Sequence, residues 1–552
     1  MFASNAQPNI LLIQADQMSV RTMPFYGNRV VRAPAMSKLA ELGVVFDSMY
    51  CNYPLCVPSR ASMLTGKLAS SIGCYDNGAE LAASVPTIAH HLRSMGYRTC
   101  LSGKMHFIGP DQHHGYEERL TTDIYPSDFG WTADWGRLSV GTGEMRVVSE
   151  AGPCKRSVQI DFDDEAAFES NRWLYSYARS GVRAPFFLTV SFSHPHDPFS
   201  ISTEYWNRYT NEEVDMPSLP RATDPHSQRL RTHFGMDDQS ITEAHVRNAR
   251  HAYYGSVSYI DNKVAELMRT VEECGFAGET IVLLTSDHGE FLGERDLWFK
   301  RSFFEESVRV PFVVYAPWRW RPRRVPQASS LVDLLPTLLS LAGGNDLDDV
   351  FSTEVHGHNL TPLLDGGNAE YDVYSEVMAE ATPAPLLMIR RGFFKYVHCE
   401  LDPPQLFKLN DDPLEQHNLA AVAEHCEIVE QLHEAVAARW DLRTLGHLVR
   451  ASQLRRKALV ACLNRGRVQS WDYQPPSDAN TAYYRNTLAF DPHRLFEVAS
   501  QYGVIAQEGD GYQCGSVSLG FSPMEAIKSI AADLDLANAM VRSIEEAKSF
   551  LR

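Results

Sequence analysis

Residues 9–17 read Asn-Ile-Leu-Leu-Ile-Gln-Ala-Asp-Gln, an apolar run that ends in an acid and an amide. A short run without alternation is typical of a strand buried on both faces of a parallel sheet. Residues 185–192 (Pro-Phe-Phe-Leu-Thr-Val-Ser-Phe) and 280–286 (Thr-Ile-Val-Leu-Leu-Thr-Ser) repeat the pattern, and polar residues follow each run. Helical stretches are predicted at 245–275 and 327–342. This alternation predicts a doubly wound, mostly parallel α/β sheet with a site along one edge.

The pattern changes after about residue 370. Short strand-like pieces at 386–391 and 393–397 precede a helical stretch near 421–441, which predicts a smaller antiparallel α+β subdomain. A further helix is predicted at 523–551, and its apolar stripe could pack on its own core or on a neighbouring subunit. We predict a catalytic α/β domain, a C-terminal α+β subdomain and a tail for oligomerisation, over residues 1–370, 371–465 and 466–552.

Composition limits the function classes. The chain has 552 residues, of which 44% are hydrophobic, so it can bury a large core. Its net charge of −18 argues against a general affinity for nucleic acid. The first apolar run, Ile10–Ile13, is too short for a signal peptide or a membrane span, and the ten cysteines lack paired zinc-type spacing. We expect a cytoplasmic protein without nucleic-acid or membrane partners.

The segment most suggestive of chemistry is 56–66, Cys-Val-Pro-Ser-Arg-Ala-Ser-Met-Leu-Thr-Gly. Taken alone, Cys56 could be a small buried side chain before a helix that has Pro58 in its first turn. A helix start here also directs backbone N–H groups and the helix dipole at an anionic group. Arg60 lies within reach of the same group. The segment therefore suits either packing or anion chemistry.

Polar residues follow two of the predicted strands. Asp16 and Gln17 end one strand, and Asp287 and His288 end another. Each pair alone could cap a loop, but the four side chains converge if the two strands are neighbours. Oxygen-rich ligation suits Ca²⁺, while a histidine in the set leaves Mn²⁺ or Mg²⁺ open.

Cys56 with Pro58 and Arg60, between these acidic strand ends, resembles the signature of type I sulfatases in the alkaline phosphatase superfamily. In that family a formylglycine-generating enzyme oxidises the cysteine, and the hydrated aldehyde offers one oxygen to attack sulfur and another to expel sulfate. The resemblance implies that modified Cys56 is the nucleophile and that Arg60 braces it. It also implies a divalent metal held by Asp16, Gln17, Cys56, Asp287 and His288. Gln17 departs from the second Asp of many sulfatases.

Other family elements follow in order. Lys104 and His106 resemble the Gly-Lys-x-His pair, in which Lys contacts sulfate and His orients a diol oxygen. His196 matches the His-x-Pro element better than His194 does, and Lys300 looks like the distal family lysine. Because an alkoxide is a poor leaving group, an acid is needed for alkyl substrates, and we assign this acid to His196 or Lys300.

Longer runs resemble choline sulfatases more than arylsulfatases, over roughly residues 8–485. These runs are 15–17, 75–77, 103–112, 114–126, 128–131, 193–198, 379–380, 388–392 and 471–475. The resemblance implies a small-molecule substrate, choline-O-sulfate, which would be hydrolysed to choline and sulfate. A trimethylammonium group needs aromatic faces and a nearby carboxylate, for which Trp131 and Glu380 are candidates, with Asn77 near the sulfate ester.

The resemblance also implies an oligomer. In choline sulfatases the tail of one subunit closes the pocket of its neighbour, and the matching segment here is Trp471, Asp472 and Tyr473. A homo-oligomer, dimer or tetramer, follows. The chain after about residue 486 departs from the shorter tails of that family and leaves the preferred alcohol open. An arylsulfatase, a phosphonate monoester hydrolase and an inactive binding relative are the alternatives.

Overall fold

The computed structural model describes residues 7–136, 145–237, 240–344 and 354–467. The predicted helix at 523–551 and the segment Trp471–Tyr473 lie outside these ranges. In chain order the strands are β1 (Asn9–Ala15), β2 (Val44–Tyr50), β3 (Arg98–Gly103), β4 (Glu118–Arg119), β5 (Gly152–Cys154), β6 (Phe186–Phe192), β7 (Ser200–Ser202), β8 (Thr280–Thr285), β9 (Phe312–Tyr315), β10 (Arg323–Ser330), β11 (Val373–Val377), β12 (Leu386–Arg391), β13 (Phe394–Cys399) and β14 (Asp402–Lys408).

The helices are α1 (Pro34–Leu42), α2 (Cys56–Thr65), α3 (Ala69–Ile72), α4 (Ile88–Ser94), α5 (Arg146–Ser149), α6 (Val158–Arg179), α7 (Thr203–Trp206), α8 (Pro225–Phe234), α9 (Glu243–Glu273), α10 (Glu305–Val308), α11 (Leu334–Leu341), α12 (Thr361–Leu364), α13 (Cys426–Arg439) and α14 (Leu442–Leu463). Short 3₁₀ turns occur at Val20–Thr22, Pro24–Tyr26, Phe129–Trp131, Glu294–Asp296, Leu331–Asp333 and Ala423–His425. Among the described helices, none has the length and apolar character needed to cross a membrane.

The large sheet confirms the predicted doubly wound architecture. Its strand order is β10-β2-β9-β8-β1-β6-β3-β4, and β9 pairs antiparallel with both of its neighbours while the other pairings are parallel. Alternate residues of β1 enter different cores: Ile10 and Leu12 join one apolar cluster, and Leu11 and Ile13 join the other. Because side chains alternate along a strand, helices must cover both faces of the sheet.

Those two cores contain different helices. Residues of α2, α4 and α11 pack in the first cluster, and residues of α1, α6 and α9 pack in the second. The small sheet, with the order β11-β12-β13-β14, is antiparallel throughout, as the sequence predicts. Its residues join the first cluster together with α13. The division into three parts stays a prediction.

One predicted helix begins too early. Residues 327–330 belong to β10, a 3₁₀ turn covers Leu331–Asp333, and the helix proper begins at Leu334. Pro326 has no backbone N–H, and the register of β10 against β2 shifts between Val325 and Ala328. An edge strand with a bulge tolerates such a proline, so pairing at the sheet edge overrides the local helical pattern. Similarly, the helix predicted near 421–441 begins only at Cys426.

Parallel pairing brings the chemically important strand ends together. β1 lies between β6 and β8, so Asp16, Ser193 and Asp287 leave the same edge of the sheet. β3 pairs with β6 on the other side and delivers Lys104 to that edge. Carboxyl ends of parallel strands are where α/β sheets place their binding sites. The sheet therefore positions residues that are far apart in the sequence.

Gly103, at the end of β3, shows how closely this edge is packed. Its φ is +90°, and a Cβ added there would lie 1.9 Å from the carbonyl oxygen of Ser191. Gly96 has a φ of +89° but nothing within 4 Å of the same position. The two glycines share a backbone conformation and differ in steric surroundings.

We therefore expect Gly96→Ala to cost about 1–2 kcal/mol in free energy of unfolding, the price of left-handed backbone alone. Gly103→Ala should cost clearly more, because the Ser191 carbonyl must also move and the β3–β6 pairing must distort. Urea denaturation of both variants measures the difference. Equal losses would show that the close approach to Ser191 does not constrain the fold.

Candidate active site

Cys56 begins helix α2 at the sheet edge. Every residue of the helix from Cys56 to Thr65 is buried. Pro58 fits the first turn because N–H groups there have no partner within the helix, and Gly66, with φ +64°, ends it. The N–H of Val57 donates to Oδ1 of Asn77 at 3.0 Å. The cysteine therefore lies at the positive end of a helix dipole.

Four side chains converge around Cys56. Ligating atoms of Asp16, Cys56, Asp287 and His288 all lie within 4.8 Å of one another, and all four residues are buried. His288 Nε2 is 3.3 Å from the Cys56 sulfur and 3.9 Å from Oδ1 of Asp16. The neighbouring ends of β1 and β8 thus bring Asp16 together with Asp287 and His288.

The histidine is oriented for ligation. His288 Nδ1 lies 3.0 Å from the carbonyl oxygen of Gly289. Only a protonated Nδ1 can donate to a carbonyl, so in the neutral ring the lone pair is on Nε2, which faces Asp16 and Asp287. Two carboxylates and one such imidazole fit a divalent cation.

Two buried cations balance these carboxylates. Arg60 donates from Nε to Asp287 at 2.9 Å and from Nη2 to Asp16 at 3.1 Å. Lys104 forms an ion pair with Asp16, and its Nζ lies 3.9 Å from the Cys56 sulfur. Burial and the Cys56 thiolate oppose ionisation of Asp16, yet Lys104, His196 and Arg60 outweigh them and lower its pKa to about 2. Positively charged side chains therefore keep the carboxylate of Asp16 ionised in a buried position.

The same field acts on the cysteine. Burial alone would raise the pKa of the Cys56 thiol, but Lys104, Lys300 and His288 outweigh it and hold that pKa well below its usual range. Lys104 shows the reverse balance: burial opposes its charge, and Asp16 and Cys56 raise its pKa. Any anion at position 56 is therefore stabilised before substrate arrives.

A cavity of about 460 Å³ opens from Cys56. Its walls combine aromatic, acidic and basic side chains, and the lining residues are Cys56, Asn77, Tyr125, Gly130, Trp131, Thr132, His196, Asp197, Pro198, Phe299, Lys300, Arg301 and Glu380. Asn77, Trp131 and Glu380, which the sequence associates with substrate, are all among them. Trp131 remains 42% exposed, so its ring is accessible from solvent.

Lys300 and His196 form a pair at the cavity wall. Nζ of Lys300 is 2.8 Å from Nε2 of His196, and the opposite ring nitrogen lies 2.7 Å from the carbonyl oxygen of Asp197. Burial and Lys300 lower the pKa of His196, but the carboxylates of Asp197 and Asp16 together outweigh them, and the pKa of His196 is raised. His194 does not belong to this pair, because its Nδ1 is hydrogen-bonded at 2.6 Å to the buried carboxylate of Asp163. The pair can hold and pass a proton between its two nitrogens.

Gln17 takes part in a different network from Asp16. Its backbone N–H donates to Asp287 at 3.0 Å. Its side-chain oxygen accepts from Lys300, and its side-chain nitrogen donates to Glu290 and, at 3.3 Å, to Asp197. Gln17 therefore connects Asp287, through its backbone N–H, with Lys300 of the cavity wall, through its side-chain oxygen. Its role as a ligand stays a proposal.

His106 is held by an acid that the sequence analysis did not select. Asp123 accepts from the backbone N–H of His106 at 2.6 Å and from that of Met105 at 2.9 Å. This fixes a turn in which His106 has a φ of +58°. The His106 ring then packs edge-on against Trp131 at 5.4 Å. Asp123 lies within the long run 114–126, which is where a signal for it was available.

Two further residues were missed. The ring of Tyr125 faces Lys104, with 4.0 Å between the ring centroid and Nζ of the lysine. The Tyr125 hydroxyl is 3.2 Å from Nδ1 of His196. Arg301 donates to Glu380 at 2.9 Å, so the carboxylate predicted to face a cation already has a cationic neighbour. Arg301 directly follows Lys300, but nothing local in the sequence pairs it with a residue 79 positions away.

Comparison with known proteins agrees with this geometry. Residues 8–344 match the family described as Sulfatase. The chain belongs to the sulfatase family. Residues 293–441 match the C-terminal region of N-sulphoglucosamine sulphohydrolase, and residues 447–496 match the choline sulfatase C-terminal family. The enzyme is a sulfuric ester hydrolase, similar to choline sulfatase.

Individual relatives cover nearly the whole enzyme. A choline-sulfatase of Rhizobium meliloti (strain 1021) is 41% identical over 502 residues, which are 88% of this chain and 98% of the relative. An arylsulfatase of Clostridium perfringens is 27% identical over 80% of this chain and 96% of its own. The crystal structure of a phosphonate monoester hydrolase of Agrobacterium radiobacter superposes with a TM-score of 0.62 at 25% identity, covering 81% and 96% of the two chains.

Removal of metal tests the Asp16–Asp287–His288 cluster. The ion binds the folded state only. A free ion concentration of about 100 times the dissociation constant should therefore add about 2.7 kcal/mol to the free energy of unfolding. We expect EDTA to lower the melting temperature and added Ca²⁺ or Mn²⁺ to restore it. Asp287→Asn should melt at the same temperature with and without EDTA. A wild-type melting curve that is unaffected by EDTA and by added ion would contradict the assignment.

Proposed function

We propose that this sulfatase hydrolyses choline-O-sulfate to choline and sulfate, with residue 56 converted to formylglycine. The observation that carries the proposal is the composition of the cavity, where Trp131, Tyr125 and Glu380 surround the approach to Cys56. The Tyr125 and Trp131 rings lie 5.2 Å apart, and such faces attract a quaternary ammonium group that cannot donate hydrogen bonds. The similarity to the choline-sulfatase of Rhizobium meliloti supports the same substrate.

Charged side chains of both signs lie in and around the cavity. Lys104 and Arg60 lie at the Cys56 end, which suits the sulfate group. Glu380 and Asp197 provide carboxylates along the wall, although Arg301 shares Glu380. Because Arg301 already offsets much of the Glu380 charge, the aromatic face of Trp131 carries a larger part of cation binding. His106 supports that face by edge-on packing.

The reacting centre needs a nucleophile and charge neutralisation. The hydrate of formylglycine supplies the attacking oxygen. Asp16, Gln17, Asp287, His288 and the modified residue 56 would hold a divalent cation, which would supply charge neutralisation at the sulfuryl oxygens. Arg60 keeps Asp16 and Asp287 oriented, and Lys104 faces the sulfate. His106 orients one of the oxygens at position 56.

The leaving alcohol must receive a proton. Lys300 and His196 are the candidates, since their 2.8 Å contact allows one to donate to the alkoxide while the other replaces the proton. Tyr125 and Asp197 fix the histidine ring from its other side. This arrangement matters most for an alkyl ester, because an alkoxide is a much stronger base than a phenolate.

The remaining assignments extend the proposal. The two carboxylates favour Ca²⁺, with Mn²⁺ or Mg²⁺ as alternatives. A formylglycine-generating enzyme is then a transient partner. The nine cysteines within the described residues are unpaired, which supports a reducing compartment such as the cytoplasm. A homo-oligomer in which Trp471, Asp472 and Tyr473 close a neighbouring pocket also belongs to the proposal, and light scattering measures its mass.

A second candidate activity is phosphonate monoester or aryl sulfate hydrolysis. The structural similarity to the phosphonate monoester hydrolase favours it, because the two chains share most of their fold. The discriminating comparison uses choline sulfate, an aryl sulfate and a phenyl phosphonate with enzyme whose residue-56 peptide has been shown by mass spectrometry to carry formylglycine.

We expect choline sulfate to give the highest kcat/KM, and Glu380→Gln to reduce it about tenfold, equivalent to about 1–2 kcal/mol. The Glu380→Gln variant should turn over the aryl sulfate within about twofold of the wild-type rate, because this substrate carries no cationic group that Glu380 could bind. Steady-state kinetics on both substrates measure this. Choline sulfate as the poorest substrate would refute the proposed function, and equal losses would remove Glu380 from the cation site.

A leaving-group series tests the proton donor. Lys300→Ala should slow choline sulfate hydrolysis by about 10²–10⁴-fold, the usual contribution of a general acid. The loss for 4-nitrophenyl sulfate should be much smaller, because nitrophenolate leaves without protonation. Rates for aryl sulfates of increasing leaving-group basicity should fall more steeply in the variant than in wild type. Parallel slopes would exclude Lys300 as the acid and direct attention to His196→Asn.

A further inference from the structure

Helix α14 carries a buried ion pair beside the cavity. Arg456 donates from both terminal nitrogens to the two carboxylate oxygens of Asp76, one of them at 2.9 Å, and the arginine side chain is only 6% exposed. Asp76 also accepts from the N–H groups of Gly78 at 3.0 Å and Ala133 at 3.2 Å. A bidentate pair of this kind fixes both partners in orientation. It joins α14 to the loop that contains Asn77.

The same helix holds the segment 131–135 at three points. Arg456 donates to the hydroxyl of Thr132 at 3.0 Å, and the side-chain oxygen of Gln453 accepts from the backbone N–H of Trp135 at 3.2 Å. Lys457 forms an ion pair with Asp134. These contacts flank Trp131 on its C-terminal side.

A third segment is reached through the indole of Trp135. Its Nε1–H is shared between the carbonyl oxygens of Met378 at 3.1 Å and Ala379 at 3.2 Å. These residues directly precede Glu380. Gln453 is therefore connected to the segment that precedes Glu380 through a single residue, Trp135.

The first two segments are also packed tightly on each other. A Cβ added at Gly78 would lie 2.5 Å from the backbone nitrogen of Thr132. Asn77 and Trp131 thus sit on pieces of chain that cannot shift independently. Asn77, Trp131 and Glu380 line the cavity, whereas Arg456 and Gln453 do not line it in the described part of the chain.

We propose that Arg456 and Gln453 are positioning residues that set the spacing of Trp131 and Glu380 and thereby determine specificity for the cationic alcohol. The inference rests on the proposed function, since the cation is the head group of choline. The reacting centre is built differently: Cys56, Arg60, Lys104 and Asp287 are held by the sheet edge and α2. Loss of the α14 contacts should therefore weaken binding of the cation and leave the chemical step nearly intact.

A single substitution of Arg456 would leave Asp76 as a buried, unpaired carboxylate, and burial already raises the pKa of Asp76 despite the arginine. The double variant Arg456→Met/Asp76→Asn removes the pair without that charge. Arg455→Met is the matched control, because Arg455 is the exposed neighbour on the same helix. Gln453→Met is the second test variant, and it keeps the ion pair while removing the acceptor for Trp135.

The substrates are choline sulfate and its neutral isostere, in which carbon replaces the quaternary nitrogen. For the double variant and for Gln453→Met we expect KM for choline sulfate to rise by about tenfold, with kcat within about twofold of wild type. KM for the isostere should change by less than about threefold, because the neutral isostere has no cation–π attraction to lose. Arg455→Met should match wild type on both. Equal changes for both substrates, no change for either, or a loss confined to kcat would overturn the inference.

Hydrogen exchange separates this result from failure of the proposed function. The peptides that contain Gly78, Ala133 and Trp135 should exchange faster in the double variant than in wild type or Arg455→Met. If wild-type enzyme does not hydrolyse choline sulfate, the proposed function fails, and exchange alone decides whether Arg456 positions these segments. Unchanged exchange in the double variant would then refute the positioning role, and faster exchange would support it.

Discussion

The active-site half of this enzyme depends on the guanidinium of Arg60. One side chain, 1% exposed, donates to Asp16 after β1, to Asp287 after β8, to the carbonyl of Lys104 after β3 and to Ser191 of β6. Four strand ends and helix α2 are thus joined by hydrogen bonds at a single planar group. Lysine could not replace it, because a point charge lacks the fork geometry that reaches several acceptors at once.

Sequence predicted most of this architecture because its signals are local. The apolar runs ending in Asp16 and Asp287 fix the central strands, and Cys56 with Pro58 and Arg60 fixes the start of α2. Because β1 and β8 are parallel neighbours, the polar residues that follow these two runs meet at one edge of the sheet. The error at residues 327–333 has the opposite cause: the segment looks helical by itself, and pairing with β2 overrides that preference.

What sequence could not supply are pairings across long separations. Arg301 with Glu380 and Arg456 with Asp76 each join segments whose contact follows only from how the small sheet and α14 lie against the large sheet. No periodicity or motif marks such pairs. Under the proposed function, these pairs bear on the choice of alcohol more than on the reaction. The sequence therefore indicated the reaction class more completely than the residues proposed to determine specificity.

The bond between Val57 and Asn77 limits how the cavity can treat an anion. The amide oxygen of Asn77 accepts from the first turn of α2, so the hydrogen-bonding capacity that Asn77 keeps for the cavity it lines is mainly that of its NH₂ donors. Under the proposed function, in which Asn77 lies near the sulfate ester, these donors would be the groups available to an ester oxygen. An aspartate at this position could still cap the helix, yet it would present a second negative oxygen to the ester. Asparagine therefore satisfies the helix terminus and leaves the anion site free of repulsion.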